Sequence, residues 1–183
     1  QHKVIGFARR VQGLIVAPGN PLGLRRLNDV VQRRARFVNR ALGTGTRVLL
    51  DELLADDGLL PRAIQGYDRS EPSHAAVAHA IQSGQADVGL GLESAARAAD
   101  LDFVPLAQER YHLVCLKTAL EQPATQALLA VLRSAAWQHR LGTLPGYQAV
   151  ASGEVQSLRA LLPWWTFKSD KAEATEAGAE QSA

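Results

Sequence analysis

Apolar and polar positions alternate along the chain in short blocks, and their period switches repeatedly between that of a strand and that of a helix. The first apolar run is VQGLIVA, Val11 to Ala17. It is short, rich in β-branched residues and stopped by Pro18-Gly19-Asn20-Pro21, which predicts a buried strand entering a turn. In LRRLNDVVQRR, Leu24, Leu27, Val30 and Val31 keep the spacing of one helix face. RFVNR, Arg36 to Arg40, predicts a second strand. After ALGTGT a helix resumes through RVLLDELLADD, with Leu49, Leu50, Leu53 and Leu54 inward and Gly58 as its stop.

The pattern continues with a short strand at Ala63-Ile64-Gln65 and a polar turn over Gly66 to Pro72. A helix capped by Ser73 follows and stops at Gly84. ADVGLGLE predicts a strand and SAARAA a short helix. Two strands then follow, around Phe103-Val104 and over Tyr111 to Leu116, and a long helix over Ala124 to Leu141. Strands alternating with helices predict an α/β fold with a largely parallel sheet. Lys168 to Ala183 has no apolar face and is expected to be a disordered tail. The expected division is residues 1–10 as a remnant, 11–150 as the principal domain, 151–167 as a C-terminal packing segment and 168–183 as the tail.

Composition narrows the classes. With 46% hydrophobic and 21% charged residues in 183, a core of ordinary size is available. A net charge of +2 is too small to argue for nucleic acid or an anionic surface. The single cysteine excludes a disulfide framework and a multi-cysteine zinc site. Cys115 lies in an apolar run and is expected to be a buried, inert thiol. No apolar stretch is long enough to span a membrane. The sequence contains no methionine, so a processed, trimmed or partial chain is expected.

The segment richest in chemistry is RFVNRALGTGTRVLL. A strand running into a Gly-Thr-Gly-Thr turn that opens a helix places free N–H groups, the helix dipole and the small residues Gly43 and Gly45 together, an anion-binding arrangement. Thr44 and Thr46 add hydroxyls, and Arg40 and Arg47 flank the turn. The same residues are equally those of a plain strand-to-helix turn with a threonine cap. The spacing fits neither a P-loop nor a dinucleotide turn. Ser73 and His74 stand at a second helix start, and Glu93 ends the VGLGLE strand, so two helix starts could face one ligand. The alternatives are a helix cap with a surface histidine, and glycines that relieve packing. No HExxH, no GxSxG and no acid–base pair is present, so no catalytic residues, metal ligands or cofactors are expected. Trp164 and Trp165 are expected to pack against the end of the fold.

Taken in order, QGLIVAPGNPLGL, the N-R-x-x-G-x-G-T-R run of Asn39 to Arg47, the S-H…SG-x-AD-x-GLG run and LPGY (Leu144 to Tyr147) resemble the bacterial periplasmic-binding-protein-like substrate-binding domain family. The resemblance covers roughly Val11 to Val150. It implies a two-lobed type II periplasmic-binding-protein-like fold with ligand between the lobes. One lobe would be complete and the other partial in this chain. It implies ligand contacts from Asn39, Arg40, Gly43, Thr44, Gly45, Thr46 and Arg47, with Ser73 and His74 opposite.

Such domains are found attached to helix-turn-helix or molybdopterin-biosynthesis domains. The function expected on this basis is non-enzymatic sensing of a small molecule or oxyanion, of the molybdate or tungstate kind, in a bacterial transcriptional regulator. The partner is a small anionic ligand. DNA would be reached only through a domain outside this chain, and no membrane is involved. The open side of the partial lobe would be covered by a second copy, as a homodimer, or would mark a truncated product. The expected location is cytoplasmic. A periplasmic solute receptor of a transporter and an accessory domain of a molybdenum-cofactor enzyme are the alternatives.

Overall fold

The computed structural model describes residues 2–165; the tail expected at 168–183 lies outside them. Strands β1 (His2–Val16), β2 (Phe37–Arg40), β3 (Ser70–Glu71), β4 (Val88–Leu92), β5 (Asp102–Leu116), β6 (Tyr147–Gln148) and β7 (Val155–Ser157) form one sheet. Its main path is β3-β2-β4-β1-β5, with β6 and β7 pairing β1. The helices are α1 (Leu27–Gln32), α2 (Gly45–Asp56), α3 (His74–Gln82), α4 (Glu93–Ala98), α5 (Pro123–Arg133), α6 (Ala135–Gly142) and α7 (Leu158–Leu161).

The sheet is mixed rather than largely parallel. β2 runs parallel to β3 and β4, and the chain between them passes through α2 and α3, the crossover connections that parallel neighbours need. β1 precedes every helix. It inserts antiparallel between β4 and β5, so Gln12 to Val16 pair with Leu92 to Val88 on one side and Val11 to Val16 with Gln108 to Asp102 on the other.

Two apolar clusters sandwich this part of the sheet. Leu14, Val16, Phe37 and Leu90 meet α1 and α2 through Leu27, Val30, Leu50 and Leu54. On the other face Ile15 and Val38 meet α3 and α4 through Val77, Ile81 and Ala96. The first half of β1 and the second half of β5 leave this body and build a smaller one, where Ile5, Leu129 and Leu132 are buried beside Phe7, Leu113 and Trp137. Two long antiparallel strands thus connect a larger α/β body to a smaller one.

Five further expectations change. Phe103-Val104 and Tyr111 to Leu116 are one continuous strand, β5. Pro105 does not break it, because β5 is an edge strand and a proline there forfeits no ladder bond on its open side. The expected helix over Ala124 to Leu141 is two helices. Ser134, with ψ of 146°, leaves helical space and caps α6 by accepting from the Trp137 N–H at 3.1 Å. Ala63-Ile64-Gln65 is no strand. A 3₁₀ turn over Pro61–Ala63 buries Ile64 between a proline and Gly66, and the strand at this point of the chain is the polar pair Ser70–Glu71. Trp164 and Trp165 are 76% and 62% exposed and so do not pack on the fold. Cys115 is half-buried at the edge of the smaller cluster rather than buried.

Candidate functional site

β2 and β3 end side by side, with Asn39 opposite Ser70 and Arg40 opposite Glu71. Each then runs into a helix at the same edge of the sheet: β2 through Gly43 and Thr44 into α2, β3 through Pro72 and Ser73 into α3. The first N–H groups of a helix have no carbonyl one turn back. Thr44 Oγ1 accepts from the Arg47 N–H at 3.4 Å, and Ser73 Oγ accepts from the Ala76 N–H at 3.0 Å. The amides of Gly45 and Thr46 in α2, and of His74 and Ala75 in α3, lie at the positive ends of the two dipoles. The bend itself is open. Nothing stands within 4 Å of a Cβ placed on Gly43 or Gly45, and Leu42 is 81% exposed.

The candidate residues divide into those that hold the bend and those it presents. Asn39 is fully buried; its Oδ1 accepts from the Arg40 N–H at 2.9 Å and its Nδ2 donates to the Tyr67 carbonyl at 3.1 Å. Thr44 is a cap, its hydroxyl also donating to the Ala41 carbonyl at 2.8 Å. Arg47 turns inward, its guanidinium 3.9 Å from the Tyr67 ring centroid and 3.7 Å from Asp51. Ser73 caps α3. Thr46 is buried in the first turn of α2. Glu93 pairs with Arg97 at 3.3 Å and lies beneath Gly146, whose Cβ position falls 2.9 Å from that of Glu93. The groups left facing the crevice are Arg40, the helix-start amides and His74. Arg40 Nη2 donates to the Pro72 carbonyl at 3.0 Å, while its buried Nε has no partner.

The far wall comes from the two long strands and was not singled out in the sequence. Arg10 and Gln12 of β1 both donate to Glu109 of β5, Gln12 Nε2 at 2.9 Å and Arg10 through Nε. The Val11 N–H donates to the Gly146 carbonyl at 2.9 Å, which draws the LPGY loop to this wall. Burial opposes the Arg10 charge, but hydrogen bonds to Glu109 and Tyr147 outweigh it and raise its pKa. Gln12 is fully buried, and its Oε1 has no partner. A polar residue inside the apolar run VQGLIVA was the sequence signal for it.

His74 links the two walls. Its ring packs over Gly91, where a Cβ would stand 3.3 Å from Nδ1. Burial, followed by the charges of Arg40 and Arg10, lowers its pKa to about 4 against the pull of Glu109. The imidazole is therefore neutral at neutral pH, and its buried Nδ1 has no partner. Among the described residues, the cation left without a carboxylate here is Arg40, since Arg10 is paired with Glu109 and Arg47 with Asp51.

Hollows of about 220, 200 and 240 Å³ lie elsewhere: between β1, β5 and α7, beside the Ala17–Leu24 turn, and between α3 and α4. The site is marked by convergent polar groups. Among the described residues no group of three or more His, Cys, Asp or Glu could hold a metal ion, and no helix is long and apolar enough to cross a membrane.

Residues 1–133 match the model of the PBP superfamily domain. The chain belongs to that superfamily. Among its relatives, the uncharacterized protein YvgK of Bacillus subtilis is 36% identical over 152 residues, which is 83% of this chain and 49% of YvgK. The chain therefore spans about half the length of that relative. The type II periplasmic-binding-protein fold is shared with solved structures of low identity. One is a putative phosphate ABC transporter substrate-binding protein with bound phosphate from Clostridium perfringens, with a TM-score of 0.60, 12% identity, and coverage of 81% of this chain and 72% of that one. Another is the substrate-binding domain of a putative molybdenum ABC transporter from Clostridium difficile, with a TM-score of 0.57, 17% identity, and coverage of 80% and 66%. This PBP-superfamily chain is a ligand-binding domain.

Proposed function

We propose that this domain binds a small oxyanion, in the phosphate–molybdate size class, without transforming it. The anion would sit between the first turns of α2 and α3. The observation that carries this reading is Arg40: a cation without a carboxylate partner, tied to Pro72 between two helix starts, with a buried Nε that lacks an acceptor. A charged donor left unpaired away from water is costly, and an anion removes that cost. The phosphate bound in one solved neighbour, and the putative molybdenum transporter to which the other belongs, support the same class. The two walls belong to parts of the fold joined by β1 and β5, so an occupant touching both favours the closed arrangement.

In a longer protein, such closure would signal to another domain. The finer proposal is the sensing part of a cytoplasmic transcriptional regulator, with DNA contacted by that other domain; the length of YvgK leaves room for one. Calorimetric titration of the chain with molybdate, tungstate, phosphate and sulfate tests the binding reading. A saturable heat with one anion per chain is expected, and no heat from any of the four overturns it. Promoter occupancy that responds to the anion in the intact protein, and stops responding when the domain is deleted, is expected of a sensor; occupancy indifferent to the anion in the intact protein favours a solute receptor.

A further inference from the structure

The two connecting strands have a second face, turned away from the crevice. β1 and β5 pair with Arg10 opposite Glu109 and Arg9 opposite Arg110. Side chains alternate across a strand, so the Arg10–Glu109 pair takes one side of this ribbon and Arg9 and Arg110 take the other. His112, two residues beyond Arg110, shares the side of the two arginines. The hollow of about 220 Å³ opens there, lined by Arg9, Arg110 and His112 together with Gln156, Val150 and Leu161. Its rim is tied to β1: the Gly6 N–H donates to the Glu154 carbonyl at 2.9 Å, and the Gly153 N–H donates to the Gly6 carbonyl at 2.8 Å.

Like charges directly opposite each other in a ladder destabilise it. Arg10 is compensated by Glu109 on its own side. Among the described residues neither Arg9 nor Arg110 has a carboxylate partner, and no Asp or Glu lines the hollow. Two guanidinium forks at one register position ask for more than a carboxylate, whose two oxygens and single charge one fork saturates. A phosphate monoester brings three terminal oxygens and a charge of about −1.5 to −2 at neutral pH, enough for both. The His112 imidazole adds an N–H, and Val150 and Leu161 offer apolar surface to an organic body.

We propose that this hollow is a second anion site, taking a small organic phosphate monoester between Arg9 and Arg110 on the outer face of the connecting strands. It shares no residue with the crevice and does not depend on what the crevice binds. Inorganic phosphate, which lacks the organic body, is expected to bind here at least about tenfold more weakly than a monoester.

The test is calorimetry on the full chain at neutral pH with phenyl phosphate, inorganic phosphate and benzoate, in Arg40→Ala, where the crevice has lost its cation. Phenyl phosphate is expected to bind one per chain, ahead of both other probes. Adding Arg110→Glu is expected to weaken it about tenfold or more. The same substitution sets opposite charges across the ladder, so the melting temperature without ligand should hold or rise, and lost binding cannot then be lost folding. Should Arg40→Ala lose its circular-dichroism signature of folding, Arg110→Glu in the unsubstituted chain is expected to remove phenyl phosphate binding of the same strength. Phenyl phosphate that ignores Arg110→Glu, or that fails to bind, overturns the proposal, and benzoate binding as tightly overturns it too. If phenyl phosphate is lost with Arg40→Ala and indifferent to Arg110→Glu, the crevice alone is an anion site.

Discussion

Arg40 donates from Nη2 to the Pro72 carbonyl at 3.0 Å, bridging the end of β2 and the residue that precedes the cap of α3. The bond fixes a guanidinium between two helix starts, which a flexible ammonium would not reproduce. Lysine has a single charged nitrogen. It can satisfy Pro72 or an anion, but not both in the planar fork that arginine offers. Arg40→Lys is therefore expected to weaken anion binding by about tenfold or more with little change in melting temperature, on the scale of one charge-assisted bond. Arg47→Met is expected to do the reverse. Arg47 stacks on Tyr67 and pairs with Asp51, so its loss should cost about 1–2 kcal/mol of stability and leave anion affinity within about threefold. Parallel calorimetry and thermal melts of the two variants check the division.

His74 sets a pH dependence whose sign follows from its environment. Its pKa is about 4 in the folded chain, below the 6.5 of an unperturbed histidine. Between those values the unfolded chain holds a proton that the folded chain does not, so stability falls as pH drops from 6.5 toward 4. The side chain is only part-buried, and screening reduces the loss to on the order of 1–2 kcal/mol. His74→Gln is expected to flatten this window in urea melts at successive pH values. An unchanged slope would mean that other groups carry it.

The glycines of β4 do separate work. A Cβ on Gly89 would stand 2.7 Å from the Val38 carbonyl oxygen and 2.6 Å from Val77 Cγ1, and backbone cannot step aside without loosening the β2–β4 ladder. A Cβ on Gly91 would meet the Ile15 Cδ1 at 2.7 Å and His74 Nδ1 at 3.3 Å, both at side-chain ends. Gly89→Ala is expected to cost about 3 kcal/mol and Gly91→Ala about 1–2 kcal/mol. Only Gly91→Ala should also disturb anion binding, by displacing His74. Melts and titrations of both variants distinguish the two.

The near half of the crevice was legible in the sequence because it is local. A strand, a Gly-Thr-Gly-Thr bend and a helix follow one another within Arg36 to Leu54, and helix-start chemistry can be read from such order. Direction was not legible in the same way. Nothing in Arg47 itself says that it stacks inward on Tyr67 while Arg40 stays at the edge; that depends on which face of α2 meets the turn at Gly66–Arg69. The far half was illegible for a different reason. Glu109 stands 99 residues from Arg10 and 97 from Gln12 in the chain, and their meeting is a product of the β1–β5 register. Continuity of β5 was likewise decided by its partner, since a 15-residue β1 templates a strand across Pro105. The tail expected at 168–183 lies outside the described residues.

The two threonines of the bend provide the sharpest test of function against plain architecture. Thr44 uses its hydroxyl twice within the protein, accepting from Arg47 and donating to Ala41. Thr44→Ala should therefore cost the roughly 1 kcal/mol typical of a lost helix cap and lower the melting temperature with or without anion. Thr46 stands one residue further along, in the first turn of α2, and valine matches its shape. Thr46→Val leaves the Thr44 cap intact, so the apo melting temperature should move little. Its side chain is buried in that turn rather than presented to the crevice, so anion affinity should stay within about threefold, the free amides holding the anion there. The readout is the melting-temperature increment on adding saturating phosphate, expected to be retained in both variants. An increment lost in Thr46→Val without apo destabilisation would add its hydroxyl to the anion's donors, and an increment absent from the unsubstituted chain would reduce the bend to a turn that merely starts a helix.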